Sequence, residues 1–126
     1  MFQEQTCPFC STAPSEILLE NSLAYAKWDK FPVSMGHLLI ISKRHVGDYF
    51  EATVGEKAKL WELVDQCKEL LDKEKHPDGY NIGINVGETA GQTIPHLHIH
   101  LIPRYKGDME NPRGGVRHVI PSKGNY

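Results

Sequence analysis

Three histidines occupy alternate positions in the segment His96-Leu97-His98-Ile99-His100-Leu101-Ile102. An extended chain carries such residues on one face, with about 6.6 Å between successive imidazoles. The apolar residues between them would bury the opposite face and so fix the register of the strand. Because a row of imidazoles packs poorly as a core, this segment is the strongest candidate for chemistry in the sequence.

Two kinds of chemistry suit these imidazoles: metal coordination, and nucleophilic or acid–base catalysis. Hard metal ions require carboxylates, and no acidic residue lies between Thr89 and Arg104. The nearby segment 85–93 instead supplies the amide of Asn85, the hydroxyl of Thr93 and glycine backbone N–H groups. Such donors stabilise a phosphoryl group on which negative charge develops. The sequence therefore favours imidazole chemistry on phosphate.

Five strands and one long helix are predicted to position these segments. The strands are predicted at 16–20, 23–28, 37–42, 80–86 and 96–102. Thr53 is the predicted N-cap of the helix, and Glu56 completes a capping box. Apolar residues recur with helical spacing from Leu60 to Leu71, and His76-Pro77-Asp78-Gly79 ends the helix. This pattern is typical of an α+β fold with a helix on one face of a sheet.

The composition indicates one globular domain over residues 1–126, with an irregular C-terminal segment from about residue 106. The chain is 40% hydrophobic and carries a net charge of −2, so a nucleic-acid partner is not expected. No apolar segment is long enough to cross a membrane, and Met1–Thr6 lacks the apolar run of a signal peptide. We therefore expect a cytoplasmic protein.

The three cysteines are an odd number, which argues against a secreted disulfide framework. Cys7 and Cys10 form a C-x-x-C pair, which suits either a redox pair or two metal ligands. The βαβ pattern expected around a thioredoxin-like pair is missing from the surrounding sequence. Cys67 lies within the predicted helix and is interpreted as a small buried hydrophobic residue.

These motifs resemble those of the histidine-triad (HIT) family, whose signature is His-Φ-His-Φ-His-Φ-Φ, where Φ is apolar. The segment 96–102 matches every position of the signature. Asn85…Ala90-Gly91-Gln92-Thr93 and Pro32-Val33-Ser34-Met35-Gly36-His37-Leu38-Leu39-Ile40 also match, and the resemblance covers about residues 7–104. It implies a HIT-like fold of about five antiparallel strands and one long helix. It also implies a homodimer whose two sheets join into one continuous sheet.

The resemblance further implies a nucleotidyl hydrolase or transferase. The expected substrates are purine nucleoside phosphoramidates, dinucleoside polyphosphates or related adenylates, attacked at the α-phosphate. His98 would be the nucleophile and form a covalent nucleotidyl-histidine, His100 would hydrogen-bond the phosphate, and His37 would join the polar network beside them. No catalytic metal is expected. The alternatives are a nucleotide-binding regulatory module with little turnover, and a zinc hydrolase that uses the three triad histidines as ligands.

The remaining matched positions are expected to contact the substrate or stabilise the transferring phosphoryl group: Phe9, Asp29, Asn85, Gly91, Gln92 and Thr93. Asp29 matches the position that holds the ribose hydroxyls, and the alternative for it is a turn-forming residue. Phe9 falls where an apolar residue lines the base pocket, and the alternative for it is a core residue.

A structural zinc site is predicted from Cys7, Cys10, His45 and His96. These residues would form a Cys₂His₂ ligand set. Zinc-binding bacterial members of the HIT family resemble this pattern, with the first triad histidine as one ligand. A closed tetrahedral site would fix the N-terminal segment to the catalytic strand and leave His98 free of metal.

Overall fold

The computed structural model describes residues 6–126, within which five strands form one antiparallel sheet and one long α-helix packs on it. The elements are β1 (Leu19–Glu20), β2 (Ala24–Trp28), β3 (Leu38–Ser42), α1 (Val54–Lys75), β4 (Gly79–Gly83) and β5 (His98–Arg104). The strand order is β1-β2-β3-β5-β4. The predicted α+β fold is confirmed. Residues 1–5, which belong to the segment used to argue against a signal peptide, lie outside the described residues.

The two faces of the sheet differ because side chains alternate along each strand. The face under α1 is apolar and includes Ala24, Ala26, Leu38, Ile40, Ile99 and Leu101. The opposite face carries a second, smaller cluster made of Cys7, Phe9, Tyr25, Leu39 and Ile41. Since Ile99 and Leu101 are buried under α1, His98 and His100 must project from the opposite face. The face predicted for the imidazoles is therefore confirmed.

The helix α1 begins and ends where the sequence predicts. The Thr53 side chain accepts a hydrogen bond from the backbone N–H of Glu56 at 3.0 Å, and the Glu56 carboxylate accepts from Thr53 N–H at 2.9 Å. This is the predicted capping box. His76 adopts a left-handed conformation (φ 50°) directly before Pro77, which cannot continue a helix.

Three predicted strand boundaries are wrong, each for a local reason. Pro14 begins a 3₁₀ turn over Pro14–Glu16, which shortens the first strand to Leu19–Glu20. The strand predicted at 80–86 ends at Gly83, the last residue of β4 that pairs with β5. The strand predicted at 96–102 begins only at His98, because the N–H of His96 donates within its own loop to Ile94.

The structure assigns no further strand or α-helix to the residues after β5. These residues contain two short 3₁₀ turns, Gly115–Val119 and Pro121–Lys123. Across residues 6–126, no helix combines the length and apolar character that a bilayer span requires.

Candidate functional site

A cavity of about 510 Å³ opens on the sheet face opposite α1. Eight of the predicted site residues line this cavity: Phe9, Asp29, His37, Asn85, Gly91, Thr93, His98 and His100. They come from the N-terminal segment, the β2–β3 connection, the loop after β4, and β5. The fold therefore gathers residues that are far apart in sequence around the histidine strand.

His98 has a defined tautomer. Its Nδ1 lies 2.8 Å from the backbone carbonyl oxygen of His96, and a carbonyl can only accept, so Nδ1 carries the proton. The lone pair of the neutral ring is therefore on Nε2. Burial lowers the pKa of His98, although the hydrogen bond to His96 opposes this effect. His98 is thus a neutral imidazole with a nucleophilic Nε2 at neutral pH.

His37 and His100 form a hydrogen-bonded pair beside His98. The backbone N–H of Val33 donates to Nδ1 of His37 at 3.2 Å, so the proton of the neutral ring is on Nε2. That Nε2 lies 3.0 Å from Nδ1 of His100 and 3.3 Å from the carboxylate of Asp29. Donation along the shorter contact makes Nδ1 of His100 an acceptor, which places the His100 proton on Nε2. His100 is therefore arranged as a hydrogen-bond donor.

The pKa values of this pair favour uncharged rings. Burial lowers the pKa of His37, and the Asp29 carboxylate opposes the change. Burial, and then the nearby His98 and His37, lower the pKa of His100 to about 4. The pair therefore keeps its tautomers at neutral pH.

The position of His37 depends on the glycine before it. Gly36 has φ +91°, a conformation that favours glycine, and it lies against α1 and the end of β5. A Cβ at this position would lie 3.0 Å from Leu71 Cδ2 and 3.3 Å from Pro103 Cγ. Glycine thus allows the loop to turn close to the core and deliver His37 to His100.

The loop after β4 brings three of its four predicted residues to the cavity: Asn85, Gly91 and Thr93. Gly91 adopts a left-handed conformation (φ +94°) at the end of a 3₁₀ turn, which explains the glycine. Gln92 is not among the residues that line the cavity, and its contact with substrate stays a prediction. Its side-chain oxygen accepts from Gly87 N–H at 2.9 Å, and its NH₂ donates to the Gly47 carbonyl at 2.6 Å. These hydrogen bonds hold the loop in shape.

Asp29 and Phe9 line the cavity and also have the structural roles that the sequence offered as alternatives. One Asp29 oxygen accepts from Phe31 N–H at 2.8 Å, which forms a turn, and Asp29 also lines the cavity. Phe9 is buried in the smaller core cluster, and its ring meets that of His98 edge-on with centroids 5.0 Å apart. Both residues thus shape the cavity as well as the fold.

The sequence arguments missed several other residues that line the same cavity: Pro8, Lys27, Lys30, Phe31, Val33, Leu39 and Ile94. Leu39 pairs with His100 across β3 and β5, and Lys27 pairs with Leu39 across β2 and β3. The alternation of side chains along the predicted strands, combined with the pairing of those strands, could have identified Leu39 and Lys27 as cavity residues. Phe31 and Val33 are 86% and 71% exposed, which makes them apolar residues at the mouth.

A second cluster lies beside the cavity and contains the four predicted zinc ligands. The Sγ atoms of Cys7 and Cys10 and one nitrogen each of His45 and His96 lie within 4.8 Å of one another. Nδ1 of His96 is 3.2 Å from the Cys7 sulfur and 3.1 Å from Nδ1 of His45. Nδ1 of His45 is 3.1 Å from the Cys10 sulfur.

These distances fit a tetrahedral zinc site. A zinc ion bound at about 2.3 Å to sulfur and about 2.0 Å to nitrogen holds its ligand atoms about 3.3–3.8 Å apart. The tautomer of His96 also fits, because its Nε2 lies 2.8 Å from the Ser42 carbonyl oxygen and must donate to it. The Nδ1 lone pair then faces the thiols, as in zinc sites whose histidines are oriented by a backbone carbonyl. Two nitrogens converging on the C-x-x-C pair favour metal binding over a redox pair.

The triad histidines do not converge on one point. His96 lies with Cys7 and Cys10, whereas Nδ1 of His98 is used by a backbone carbonyl and His100 pairs with His37. This arrangement opposes the alternative of a zinc hydrolase with three triad ligands.

Comparison with known proteins agrees with this geometry. The sequence profile described as "HIT domain" matches residues 11–107. The chain is 37% identical over 97 residues to a bis(5'-adenosyl)-triphosphatase of Dictyostelium discoideum, covering 77% of this chain and 65% of that protein. It is 36% identical over 118 residues to an uncharacterized HIT-like protein of Methanocaldococcus jannaschii, covering 90% and 91% of the two chains.

A solved structure of a zinc-bound histidine triad family protein from Mycobacterium smegmatis is also similar. It has a TM-score of 0.77 and 30% identity, and the match covers 86% of this chain and 82% of that one. The chain spans between about half and two-thirds of the length of the first curated relatives that it matches. The profile match includes the cavity loop and the histidine strand, and the chain therefore belongs to the HIT domain family.

Proposed function

We propose that this protein is a nucleotidyl hydrolase or transferase in which His98 attacks the α-phosphate of its substrate. The substrate class is a purine nucleoside phosphoramidate, a dinucleoside polyphosphate or a related adenylate. The observation that carries the proposal is the 2.8 Å hydrogen bond from Nδ1 of His98 to the His96 carbonyl, which leaves the lone pair on Nε2. The similarity to a bis(5'-adenosyl)-triphosphatase supports the dinucleoside polyphosphate class.

The reaction proceeds in two displacements. Nε2 of His98 forms a bond to the α-phosphorus while the bond from phosphorus to the leaving group breaks, and the leaving group takes a proton. Water then attacks the same phosphorus, the P–N bond breaks, and the product is a nucleoside monophosphate with one proton released. A neutral imidazole returns, with its Nδ1 proton still held by the His96 carbonyl. One difficult displacement is thereby divided into two easier ones.

Hydrogen-bond donors around the cavity would stabilise the transferring phosphoryl group. His100 supplies its Nε2–H, and Asn85, Gly91 and Thr93 supply amide, backbone or hydroxyl groups along the same wall. Removing one well-placed donor of this kind typically costs about 3 kcal/mol of transition-state stabilisation. His37 acts through His100, because it fixes the tautomer that points a proton at the phosphate.

The rest of the cavity suits a nucleoside. Its volume of about 510 Å³ lies within the range of about 300–1,000 Å³ that is usual for small-molecule sites. Asp29 supplies a carboxylate that can accept hydrogen bonds from ribose hydroxyls, and Phe9 supplies an apolar ring for the base.

The Cys7, Cys10, His45 and His96 cluster is proposed to hold a structural zinc ion. All four ligands would be protein side chains, which leaves no coordination position open for substrate. When bound, zinc would fasten the segment that carries Phe9 to the strand that carries His98.

A homodimer is proposed to form through β4. This strand is an edge of the sheet, since it pairs only with β5 among the described residues. Ile82 on this edge strand is 42% exposed. Pairing of β4 with its symmetry mate would join two sheets into one, and light scattering should then report twice the mass of the chain.

Trapping the intermediate tests the proposed function. Wild-type protein is mixed with a nucleoside phosphoramidate or a diadenosine polyphosphate, quenched within one turnover at alkaline pH, and analysed by intact and peptide mass spectrometry. We expect one nucleotidyl group on the peptide that contains His98. The matched control is His118→Asn, since His118 lies in the C-terminal segment and hydrogen-bonds to the nearby Arg113 carbonyl; this variant should form the adduct normally.

Three outcomes would refute the proposal. The first is an adduct on another residue, and the second is normal turnover by His98→Asn. The third is tight nucleotide binding without turnover or adduct, which would identify a regulatory binding module instead.

A further inference from the structure

Lys27 is a nearly buried cation in the wall of the cavity. Only 5% of its surface is exposed, although it lines the same cavity as His98 and His100. Its place on β2 explains this position, because Lys27 pairs with Leu39, which in turn pairs with His100 on β5. The three residues form a row across the sheet on the face opposite α1.

The surroundings of this ammonium group supply little compensation for its burial. Nζ donates one long hydrogen bond, 3.4 Å, to Oγ1 of Thr12, and lies 5.4 Å from the centroid of the Phe9 ring. Among residues 6–126, no carboxylate forms an ion pair with Lys27. An ammonium group has three donors, so two remain for a partner that enters the cavity.

The Thr12 hydroxyl, which accepts the hydrogen bond from Lys27, is itself held in place. Tyr25 donates its hydroxyl proton to the Phe9 carbonyl at 2.5 Å, so the Thr12 hydroxyl donates to Tyr25 at 2.8 Å. Oγ1 of Thr12 is then an acceptor for Lys27. This chain anchors the ammonium beside the Phe9 ring.

The distance from His100 indicates which part of a ligand meets Lys27. Two strand spacings separate the backbones of the two residues, about 10 Å across the sheet, and the Lys27 ammonium group lies beside Thr12 and the Phe9 ring. With the α-phosphate at His98 and His100, as the proposed function requires, a nucleoside monophosphate that extends along the cavity towards Phe9 would bring its base to Lys27.

We infer that Lys27 recognises the base and makes the site selective for 6-oxopurines, guanine and hypoxanthine, over adenine. Guanine presents two acceptors on one edge, O6 and N7, and lysine commonly donates to them. Adenine keeps the N7 acceptor but presents an amino donor in place of O6, which would face the ammonium group and leave it one acceptor instead of two. Sites built to hydrogen-bond one group reject analogues that lack it, because buried polar groups are then left unpaired. This inference rests on the proposed function only for the placement of the phosphate.

Equilibrium binding of mononucleotides tests the inference without requiring turnover. Calorimetric titration of GMP, IMP and AMP into wild-type protein should give dissociation constants for GMP and IMP about tenfold or more below that for AMP. IMP separates recognition of O6 and N7 from recognition of the guanine 2-amino group. In Lys27→Met, which keeps a long unbranched side chain, the three nucleotides should bind within about twofold of one another.

Two further variants make the result specific. Lys27→Arg keeps a buried cation with donors and should retain the preference for GMP, which separates loss of recognition from loss of folding. Lys68→Met removes a lysine that lies on α1 outside the cavity lining, is 54% exposed and pairs with Asp72 at 2.6 Å; it should leave the GMP-to-AMP ratio unchanged.

Equal affinities for GMP and AMP in the wild type, an unchanged ratio in Lys27→Met, or no nucleotide binding would each overturn the inference. A preference for GMP that depends on Lys27 would uphold it even if the protein formed no adduct at His98. The failure of this inference and the failure of the proposed reaction are therefore distinguishable.

Discussion

A comparison of the Cys₂His₂ cluster with the neighbouring cavity shows how identical side chains acquire different chemistry. His96 and His98 are two residues apart, yet they use opposite ring nitrogens. Nε2 of His96 donates to the Ser42 carbonyl, which directs Nδ1 towards the thiols of Cys7 and Cys10. Nδ1 of His98 donates to the His96 carbonyl, which leaves the lone pair on Nε2, the atom proposed to attack phosphorus.

The difference between the two regions is set by backbone carbonyls rather than by the imidazoles themselves. A carbonyl accepts one ring N–H, and the other nitrogen of the neutral ring must then carry the lone pair. His96 is 0% exposed and His98 is 9% exposed, so access also differs. The His96 ring is fully buried beside the two thiols, whereas the His98 ring lines the cavity. The two regions should consequently respond to different perturbations.

The largest expected effect comes from removing the proposed nucleophile, His98. His98→Asn retains an N–H that can donate to the His96 carbonyl but has no imidazole lone pair. We expect kcat/KM for a nucleoside phosphoramidate to fall by about a thousandfold or more. The zinc content, measured by elemental analysis, should remain one ion per chain. Loss of zinc from this variant would show that the two regions are not separable.

The second perturbation removes Cys7, a proposed metal ligand. Cys7 is fully buried within the proposed zinc cluster, so Cys7→Ser should abolish zinc binding and lower the free energy of unfolding by about 3 kcal/mol or more. Chemical denaturation, with and without a chelator, measures this loss. The chelator should destabilise the wild type and leave Cys7→Ser unchanged.

Cys67 provides the matched control for that experiment. It is also fully buried, but it lies in α1 within the main core, and burial raises the pKa of its thiol to about 12. Cys67→Ala should cost about 1 kcal/mol through a small cavity and keep its zinc. Equal sensitivity to chelator in the two cysteine variants would contradict the assignment of the metal centre.

A smaller effect is expected from pH, and it belongs to the cavity region. Burial, aided by nearby His98 and His37, lowers the pKa of His100 from 6.5 to about 4. The unfolded chain therefore binds a proton at His100 before the folded protein does. The stabilisation from a neutral His100 is fully present above pH 6.5 and is lost as the pH falls through about 4. It amounts to at most about 3 kcal/mol.

Urea denaturation at several pH values checks this sign. His100→Gln keeps a polar side chain that does not titrate, so its stability should fall less steeply than that of the wild type between pH 6.5 and pH 4. Parallel pH profiles would show that His100 is not kept neutral by the fold. Zinc loss in acid affects both proteins and cancels in the comparison.

Patterns local in sequence predicted much of this molecule. Alternation in 96–102 placed His98 and His100 on the correct face, and the Thr53–Glu56 capping box located the start of α1. Each of these two signals is contained in a few neighbouring residues, which is why the sequence sufficed. The cluster of Cys7, Cys10, His45 and His96 joins residues up to 89 positions apart in sequence, and only its C-x-x-C pair is a local signal; the two histidines came from the family resemblance.

Contacts between distant segments could not be predicted. The choice of ring nitrogen at His96 depends on the Ser42 carbonyl, which is 54 residues away in sequence. The NH₂ group of Gln92 donates to the Gly47 carbonyl, 45 residues away, and nothing in the loop that contains Gln92 indicated this contact. Lys27 gave no local signal, since its partners on the cavity wall depend on how β2, β3 and β5 pair.

The smallest expected effect tests the connection between the two regions. Phe9 lies between Cys7 and Cys10 in sequence, its ring meets that of His98, and its carbonyl accepts the Tyr25 hydroxyl at 2.5 Å. Tyr25→Phe removes that hydroxyl from a residue that is 5% exposed, and it should cost about 1 kcal/mol of stability.

If zinc and the Tyr25 hydroxyl hold the same segment, Tyr25→Phe should lower the free energy of unfolding more in chelator than in the zinc-loaded protein. In chelator the zinc restraint is already missing, so the substitution removes the second restraint on Phe9. Denaturation of wild type and Tyr25→Phe under both conditions measures this coupling. Tyr49→Phe is the control, because the Tyr49 hydroxyl accepts from Trp61 at 3.3 Å at an exposed site and should cost under about 0.5 kcal/mol in either condition. Identical costs of Tyr25→Phe with and without chelator would show that the metal centre and the cavity hold Phe9 independently.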